Sequence, residues 1–273
     1  LIPGIEAAGV VEQVGEQVTS FKPGDRVAYA GYMGGNYADF TVVPYDKLAP
    51  MPDELDFEYA AAGLMQGMTA HCLSNDVYLI RPGNWVLVHA SAGGVGSLLV
   101  QFAKLQGAKV IGTLSSENKA AFVREMGADY VINYHERDFA EAVHEITGGL
   151  GVHVVYDAIG RTTFDKSLSA LRACGHMVVY GQTSGVVPPF DINRLSGLTD
   201  ASTRGSLSLT WAALSHYNTE HDTFLSRAET VFHLIHTRQI RVHISHRVSL
   251  QDAADAHRLL EDRNVAGKII LIP

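Results

Sequence analysis

The fold is decided by residues 85–107, Trp85-Val86-Leu87-Val88-His89-Ala90-Ser91-Ala92-Gly93-Gly94-Val95-Gly96-Ser97-Leu98-Leu99-Val100-Gln101-Phe102-Ala103-Lys104-Leu105-Gln106-Gly107. The run from Trp85 to Ala90 has the length and apolar character of a buried parallel strand. Val95, Leu98, Leu99, Phe102 and Leu105 then recur at the spacing of one helix face, and Gly107 predicts the helix stop. A strand that turns through glycines into a helix presents outward amide N–H groups and partial positive charge, with no side chains in the way. That is a seat for a diphosphate. The same turn can be a tight corner that binds nothing; the order strand, glycines, helix, strand (Lys109 to Thr113) favours the dinucleotide reading. In a Gly-x-Gly-x-x-Gly pattern the last two glycines fall on Gly93 and Gly96, and the first position is Ser91. A hydroxyl there fits the turn and could bond a phosphate.

Outward from this stretch, residues from about 73 to 210 repeat one phrase, a helix ending at glycine followed by a short apolar strand. Gln106-Gly107 leads to Val110-Ile111, Met126-Gly127 to Tyr130-Val131-Ile132, and Cys174-Gly175 to Met177-Val178-Val179. Val152 to Tyr156 and Ser206 to Leu209 supply further strands. Strands alternating with helices specify an α/β fold with a parallel, doubly wound sheet. Residues 1 to about 60 read instead as β-rich, with strands at Gly9–Gly15, after the turn Pro23-Gly24-Asp25, and at Tyr37–Val43. A helix from Tyr59 to Cys72 leads into the repeating part. The tail holds a helix from Thr223 to His236 with Phe224, Ala228, Val231, Phe232 and Ile235 on one side. A helix from Leu250 to Leu260 and a strand from Lys268 to Ile272 follow.

The chain of 273 residues is 47% hydrophobic and 18% charged, the balance of an ordinary globular protein. Its formal net charge of −8 argues against nucleic acid as the main partner. Two cysteines, Cys72 and Cys174, leave no disulfide framework and no four-thiolate zinc site, and both read as buried small hydrophobes. No apolar run approaches membrane-spanning length, so a soluble, cytoplasmic protein is the expectation. The first residue is Leu1 rather than methionine and falls inside what reads as a domain, so a targeting peptide could have preceded it.

An NAD site wants a carboxylate at the tip of the second strand, about 20 residues past the glycines, to hold the ribose hydroxyls. Here that tip is Thr113-Leu114-Ser115-Ser116, and Lys119 stands one helical turn further on. Hydroxyls followed by a cation suit a 2′-phosphate, so NADP is favoured. Glu117 would repel that phosphate if it pointed inward, and Lys119 could instead be a solvated helix lysine. Asp157, at the end of an apolar strand, reads as a cap for the following turn rather than a catalytic acid. His89 reads as structural, His233 and His236 as a surface pair, and no Ser–His–Asp constellation can be assembled from spacing.

Taken together, Pro3–Val11, Lys22–Tyr29, Gln66–Ala70, His89–Gly96, Val131–Tyr134 and Val155–Gly160 resemble the zinc-independent quinone oxidoreductases (zeta-crystallin-like) of the medium-chain dehydrogenase/reductase superfamily. The resemblance implies a GroES-like catalytic domain at 1–65 and 212–273 split around an NADP-binding Rossmann domain at 66–211. It also implies a preceding strand-rich segment, absent from this sequence, that supplies an asparagine and a tyrosine to the acceptor pocket. Zinc-dependent relatives carry Gly-His-Glu where this chain has Gly4-Ile5-Glu6, and the cysteines needed for either zinc site are missing, so no metal is expected. By resemblance, Gly93, Gly94, Val95 and Gly96 sit against the diphosphate, while Ser115, Lys119 and Tyr134 surround the adenosine ribose and its phosphate. Arg263 matches an arginine that clamps the 2′-phosphate, a task suited to a guanidinium. Thr69, Ile159, Thr183, Ser184 and Gly185 fall near the nicotinamide, with Ala212 to Leu214 close by.

The activity these residues imply is hydride transfer from NADPH to a quinone or similar electron-poor acceptor, with a proton from water and no metal. An alkenal or enoyl reductase of the same superfamily is the nearest alternative. A cofactor-loaded, non-catalytic protein of crystallin-like or RNA-binding type is the alternative from another class. The resemblance further implies a homodimer paired through the strand near Ser206 to Thr210, which would hide an exposed sheet edge.

Overall fold

The computed structural model describes residues 2–198, 203–262 and 264–273. The chain forms two compact units, one made of residues up to Thr69 and from Leu214 onward, the other of Ala70–Ala213. In chain order the first unit opens with strands β1 (Glu6–Val10), β2 (Arg26–Ala30) and β3 (Ala49–Pro50), followed by helix α1 (Phe57–Cys72), which runs past the boundary at Thr69. The second unit holds β4 (Trp85–Val88), α2 (Gly94–Leu105), β5 (Lys109–Leu114), α3 (Ala120–Glu125) and β6 (Tyr130–Asn133). It continues with α4 (Phe139–Ile146), β7 (Val152–Asp157), α5 (Phe164–Ala170), β8 (Leu171–Val179) and β9 (Ser208–Trp211). The first unit resumes with α6 (Leu214–Tyr217), α7 (His221–His236), β10 (Ile244–Ser249), α8 (Ala253–Glu261) and β11 (Lys268–Ile272).

The second unit is a six-stranded parallel sheet in the order β6-β5-β4-β7-β8-β9. The direction of winding reverses between β4 and β7, which is where doubly wound sheets open a crevice at their carboxyl ends. Val86, Leu87 and Val88 are each 0% exposed, as expected of a strand covered on both faces. Leu87, Ile111, Val155 and Met177 pack with Phe139, Val143, Phe164 and Leu168 of α4 and α5 into one core.

The first unit carries an antiparallel sheet, β1-β2-β3, and a parallel pair, β10-β11. Its helices meet closely. A Cβ on Gly63 would lie 2.7 Å from Ile235 Cδ1, and one on Gly67 would lie 2.6 Å from Val231 Cγ1, so two glycines a turn apart on α1 admit α7.

Several expectations need correction. The first strand is Glu6–Val10, not Gly9–Gly15, because Val11 already turns to pair its N–H with the Asp25 carbonyl at 2.9 Å. Tyr37–Val43 forms no strand, and Phe40 and Val42 are 76% and 88% exposed: an alternating pattern becomes a strand only where a neighbour completes its ladder. The helix expected to stop at Gly175 ends at Ala170. Leu171 already begins β8, and Cys174 with φ 58° marks an irregularity opposite Val152 and Val154. Cys174 is exposed rather than buried, whereas Cys72 is buried. Leu105 leaves the apolar face of α2 and is 50% exposed.

Candidate cofactor site

The parallel sheet brings the sequence-predicted residues of the second unit to one edge. Gly93–Gly96 follow β4, Ser115 and Lys119 follow β5, Tyr134 follows β6, Ile159 follows β7, and Thr183–Gly185 follow β8.

The turn after β4 is built by tight backbone contacts. Ala90 takes φ 50°, and the Gly93 N–H donates to the Ala90 carbonyl at 2.9 Å. A Cβ on Gly96 would stand 2.3 Å from the Ala90 oxygen, so only glycine lets α2 start this close to β4. No side chain caps the start of α2 at Gly93, while Gly93, Gly94 and Val95 remain partly exposed. The first amides of a helix have no carbonyl partner within it, so this open end suits an anion. Ser91 does not contribute: it is 0% exposed and its hydroxyl donates to the Thr113 carbonyl at 2.9 Å. The serine in the first glycine position therefore ties the turn to β5 instead of bonding a phosphate.

At the tip of β5, Ser115 is partly exposed, Glu117 is exposed and Lys119 is buried. Burial lowers the Lys119 ammonium from its usual range, as desolvation disfavours the charged form. The pairing feared from sequence, Glu117 inward and Lys119 outward, is thus reversed. Tyr134 donates its backbone N–H to the Leu114 carbonyl at 3.1 Å and stacks obliquely with His135, ring centroids 4.7 Å apart.

The loops after β7 and β8 are knitted together. Asp157 Oδ1 accepts from the Ile159 and Gly160 N–H groups at 2.7 and 3.0 Å, so this aspartate caps the turn. The Ser184 N–H and hydroxyl both donate to the Ile159 carbonyl, at 2.9 and 2.7 Å, and the Thr183 N–H donates to Ala158 at 3.2 Å. Gly160 (φ 85°) and Gly185 (φ 114°) adopt left-handed backbone that disfavours a side chain. Ala212, beyond β9, is buried and donates its N–H to the Val179 carbonyl at 2.8 Å.

In the first unit, Thr69 spends its hydroxyl on the Met65 carbonyl of its own helix, at 2.7 Å. Arg263 lies outside the described residues. A cluster that sequence reasoning missed joins Glu6 to Lys268 through an ion pair with both side chains mostly buried. Gln66, with its amide oriented to suit its neighbours, accepts from Lys268 Nζ at 2.5 Å and donates to the Ala62 carbonyl at 2.7 Å. Glu6 Oε2 and both amide atoms of Asn36 are buried without a partner. Residues 262 positions apart in the chain carry no local signal of such a pairing. Among the described residues, no group of three or more His, Cys, Asp or Glu side chains is arranged to hold a metal, and no helix is long and apolar enough to cross a membrane.

Comparison with known proteins agrees with this architecture. The zinc-binding dehydrogenase family matches residues 94–222, and the alcohol dehydrogenase GroES-like domain matches residues 1–53. Quinone oxidoreductase 1 of Escherichia coli (strain K12) is 40% identical over 272 residues, covering 99% of this chain and 81% of that protein. A 2-haloacrylate reductase of a Burkholderia species is 39% identical over 275 residues, covering 100% of this chain and 81% of the other. The crystal structure of the E. coli quinone oxidoreductase complexed with NADPH superposes with a TM-score of 0.92 at 40% identity, over 99% of this chain and 82% of that one. With the glycine turn, the doubly wound sheet and the split first unit all in place, this chain belongs to the quinone oxidoreductase family of the medium-chain dehydrogenases/reductases.

Proposed function

We propose that the protein is an NADPH-dependent oxidoreductase that reduces a quinone or a similar electron-poor acceptor without zinc. The observation that carries this reading is the uncapped start of α2 beside four further strand ends bearing Ser115, Lys119, Tyr134, Ile159 and Thr183–Gly185. Bound NADPH supplies a hydride that, with one proton from water, converts a quinone to the hydroquinone or saturates an activated alkene.

The chain's own residues bind and orient. Gly93, Gly94, Val95 and Gly96 offer amides and room to the diphosphate, and Ser115, Lys119 and Tyr134 receive the adenosine ribose with its 2′-phosphate, joined by Arg263. Ile159, Thr183, Ser184 and Gly185 form the rigid bed for the nicotinamide, with Thr69 assigned to the same ring. The catalytic domain is assigned to 1–65 and 212–273 and cofactor binding to 66–211. Pairing of two copies through β9, an edge strand of the sheet, would give a homodimer and cover that edge. The free thiols Cys72 and Cys174, the latter exposed, accord with a reducing cytoplasmic setting.

Reduction of an alkene conjugated to a carbonyl or carboxylate is the second reading, favoured by the 39% identity to a 2-haloacrylate reductase. The test follows NADPH and NADH absorbance with a small quinone, an alkenal and a haloacrylate. Quinone-dependent oxidation of NADPH well above NADH is the expected result. Lys119→Ala should narrow that preference about tenfold, the scale of one lost charge-assisted contact to the 2′-phosphate. Turnover with the alkenes alone moves the assignment to the second reading. Tight NADPH binding with no turnover on any acceptor defeats both and leaves a non-catalytic role.

A further inference from the structure

Buried side chains form a continuous hydrogen-bonded chain across the ends of β5, β4 and β7. Asp157 Oδ2, the oxygen not used by the Ile159–Gly160 turn, accepts from Thr163 Oγ1 at 2.7 Å and Ser167 Oγ at 3.2 Å. Ser167 has one hydroxyl proton, and a carboxylate can only accept, so that proton goes to Asp157. Its oxygen is then left to accept from His89 Nε2, 2.9 Å away. This fixes the imidazole: Nε2 carries the proton and Nδ1 accepts from Thr113 Oγ1 at 2.8 Å. Asp157, Ser167, His89 and Thr113 are each 0% exposed, and Thr163 is 4% exposed. The serine, histidine and aspartate that spacing could not assemble thus stand in a row. They make no nucleophile, because no member reaches solvent and the hydroxyl is committed to the carboxylate.

Each strand crossed by this chain ends in a loop assigned to a different part of NADPH: the diphosphate after β4, the adenosine phosphate after β5, the nicotinamide after β7. We infer that His89, as the Nε2–H tautomer, is a positioning residue that pins the Ile159–Gly160 turn to the ends of β4 and β5 through Ser167 and Asp157. The inference rests on the NADPH reading above for its consequence, and on geometry alone for the pinning. Phe139 of α4 packs its ring edge-on to the imidazole at 4.7 Å. Asp157 is the charged group facing it, and Tyr180 beside Asp157 stays a neutral phenol, raised by burial and by that carboxylate. Burial holds the imidazole below its usual range, and the attraction of Asp157 does not overcome it.

The test uses the full chain with Ser167→Ala, His89→Leu and His89→Gln, the last keeping a donor on the Ser167 side. Amide hydrogen exchange at Ile159 and Gly160, NADPH titration and the nitrogen shifts of the imidazole are read together. Ser167→Ala, the mildest change, should speed exchange at those two amides and weaken NADPH, each by about tenfold, the scale of one buried hydrogen bond. His89→Gln should recover most of what His89→Leu loses. The wild-type imidazole should show the Nε2–H tautomer and keep it as the pH falls through the usual histidine range. Unchanged exchange at Ile159 and Gly160 in Ser167→Ala, or a proton on Nδ1, overturns the inference. Faster exchange in a protein that binds no NADPH even as wild type upholds the pinning and overturns the cofactor reading instead.

Discussion

The two units handle a buried carboxylate differently. In the second, Asp157 satisfies four donors and passes its hydrogen bonding through Ser167 and His89 to Thr113, with every member sealed from solvent. In the first, Glu6 meets Lys268 through one oxygen while the other is buried without a partner, and neither amide atom of Asn36 is bonded. Both units expose apolar side chains, Met33 and Val42 in the first and Ile192 and Leu198 in the second. One carboxylate is closed into a complete network. The other keeps one oxygen without a donor, a cost for a buried charge.

The harshest way to break the comparison is Gly96→Ala. The new methyl would press on the Ala90 carbonyl, a backbone atom that cannot swing aside. A cost of about 3 kcal/mol and loss of NADPH binding are expected, read by denaturant midpoint and by titration. Unchanged stability would mean that the turn after β4 relaxes freely and the second unit is less rigid than described.

Next in size is Lys268→Met. Both partners are mostly buried, so the substitution strands a carboxylate whose second oxygen already lacks a donor. About 2 kcal/mol should be lost, and Glu6→Gln added to it should return at least half, because a neutral amide is cheaper to leave unpaired than a charge. If the double variant is no better than the single, the cluster is held by packing rather than by charge.

A pH series sharpens the contrast further. His89 is neutral in the folded state, with its protonation pushed down by burial, whereas the unfolded chain takes up that proton near the ordinary histidine value. Stability contributed by His89 is therefore full at neutral pH and falls as the pH drops below about 6.5, by up to about 1.4 kcal/mol per unit for one proton. Asp138 acts in a separate window. Burial alone would raise it, but the Lys166 ammonium and the Glu141 and Ala140 amides prevail and lower it. Its contribution is lost only as the pH falls below about 4. Urea midpoints at pH 7.5 and 5.5 should differ in the wild type and differ less in His89→Gln, where His153 and His176, also held down by burial, still contribute; an undiminished difference would assign the acid loss to those two.

The same contrast explains what was legible in the sequence. Unbroken apolar strands, a helix with a regular face and glycines at the turns are local signals. Trp85–Gly107 therefore declared the fold, and the sheet brings the other residues proposed for the cofactor in the second unit to one edge. Lys119 could be named, but its burial and the outward position of Glu117 depend on how β5 ends against its neighbours. Ser91 was misread because its partner, the Thr113 carbonyl, lies on another strand. The pairs Glu6–Lys268 and His89–Ser167 are tertiary facts, with no periodicity to announce them.

Phe40→Ser offers the smallest effect and isolates that lesson. Tyr37–Val43 has the alternation of a strand, as Val86–Val88 has the apolar run of one, yet only the second is covered by neighbours. Phe40 is 76% exposed, so replacing it removes little buried area and should change stability by less than about 0.5 kcal/mol. The matching deletion at a fully buried position, Leu87→Ala, should cost about 3 kcal/mol through lost transfer energy and the cavity left behind. The ratio of the two midpoint shifts measures how far burial, rather than residue type, decides what an apolar side chain contributes. A Phe40→Ser cost near that of Leu87→Ala would mean that residues 37–43 pack against something in solution, and would turn this segment from a bystander into part of a working surface.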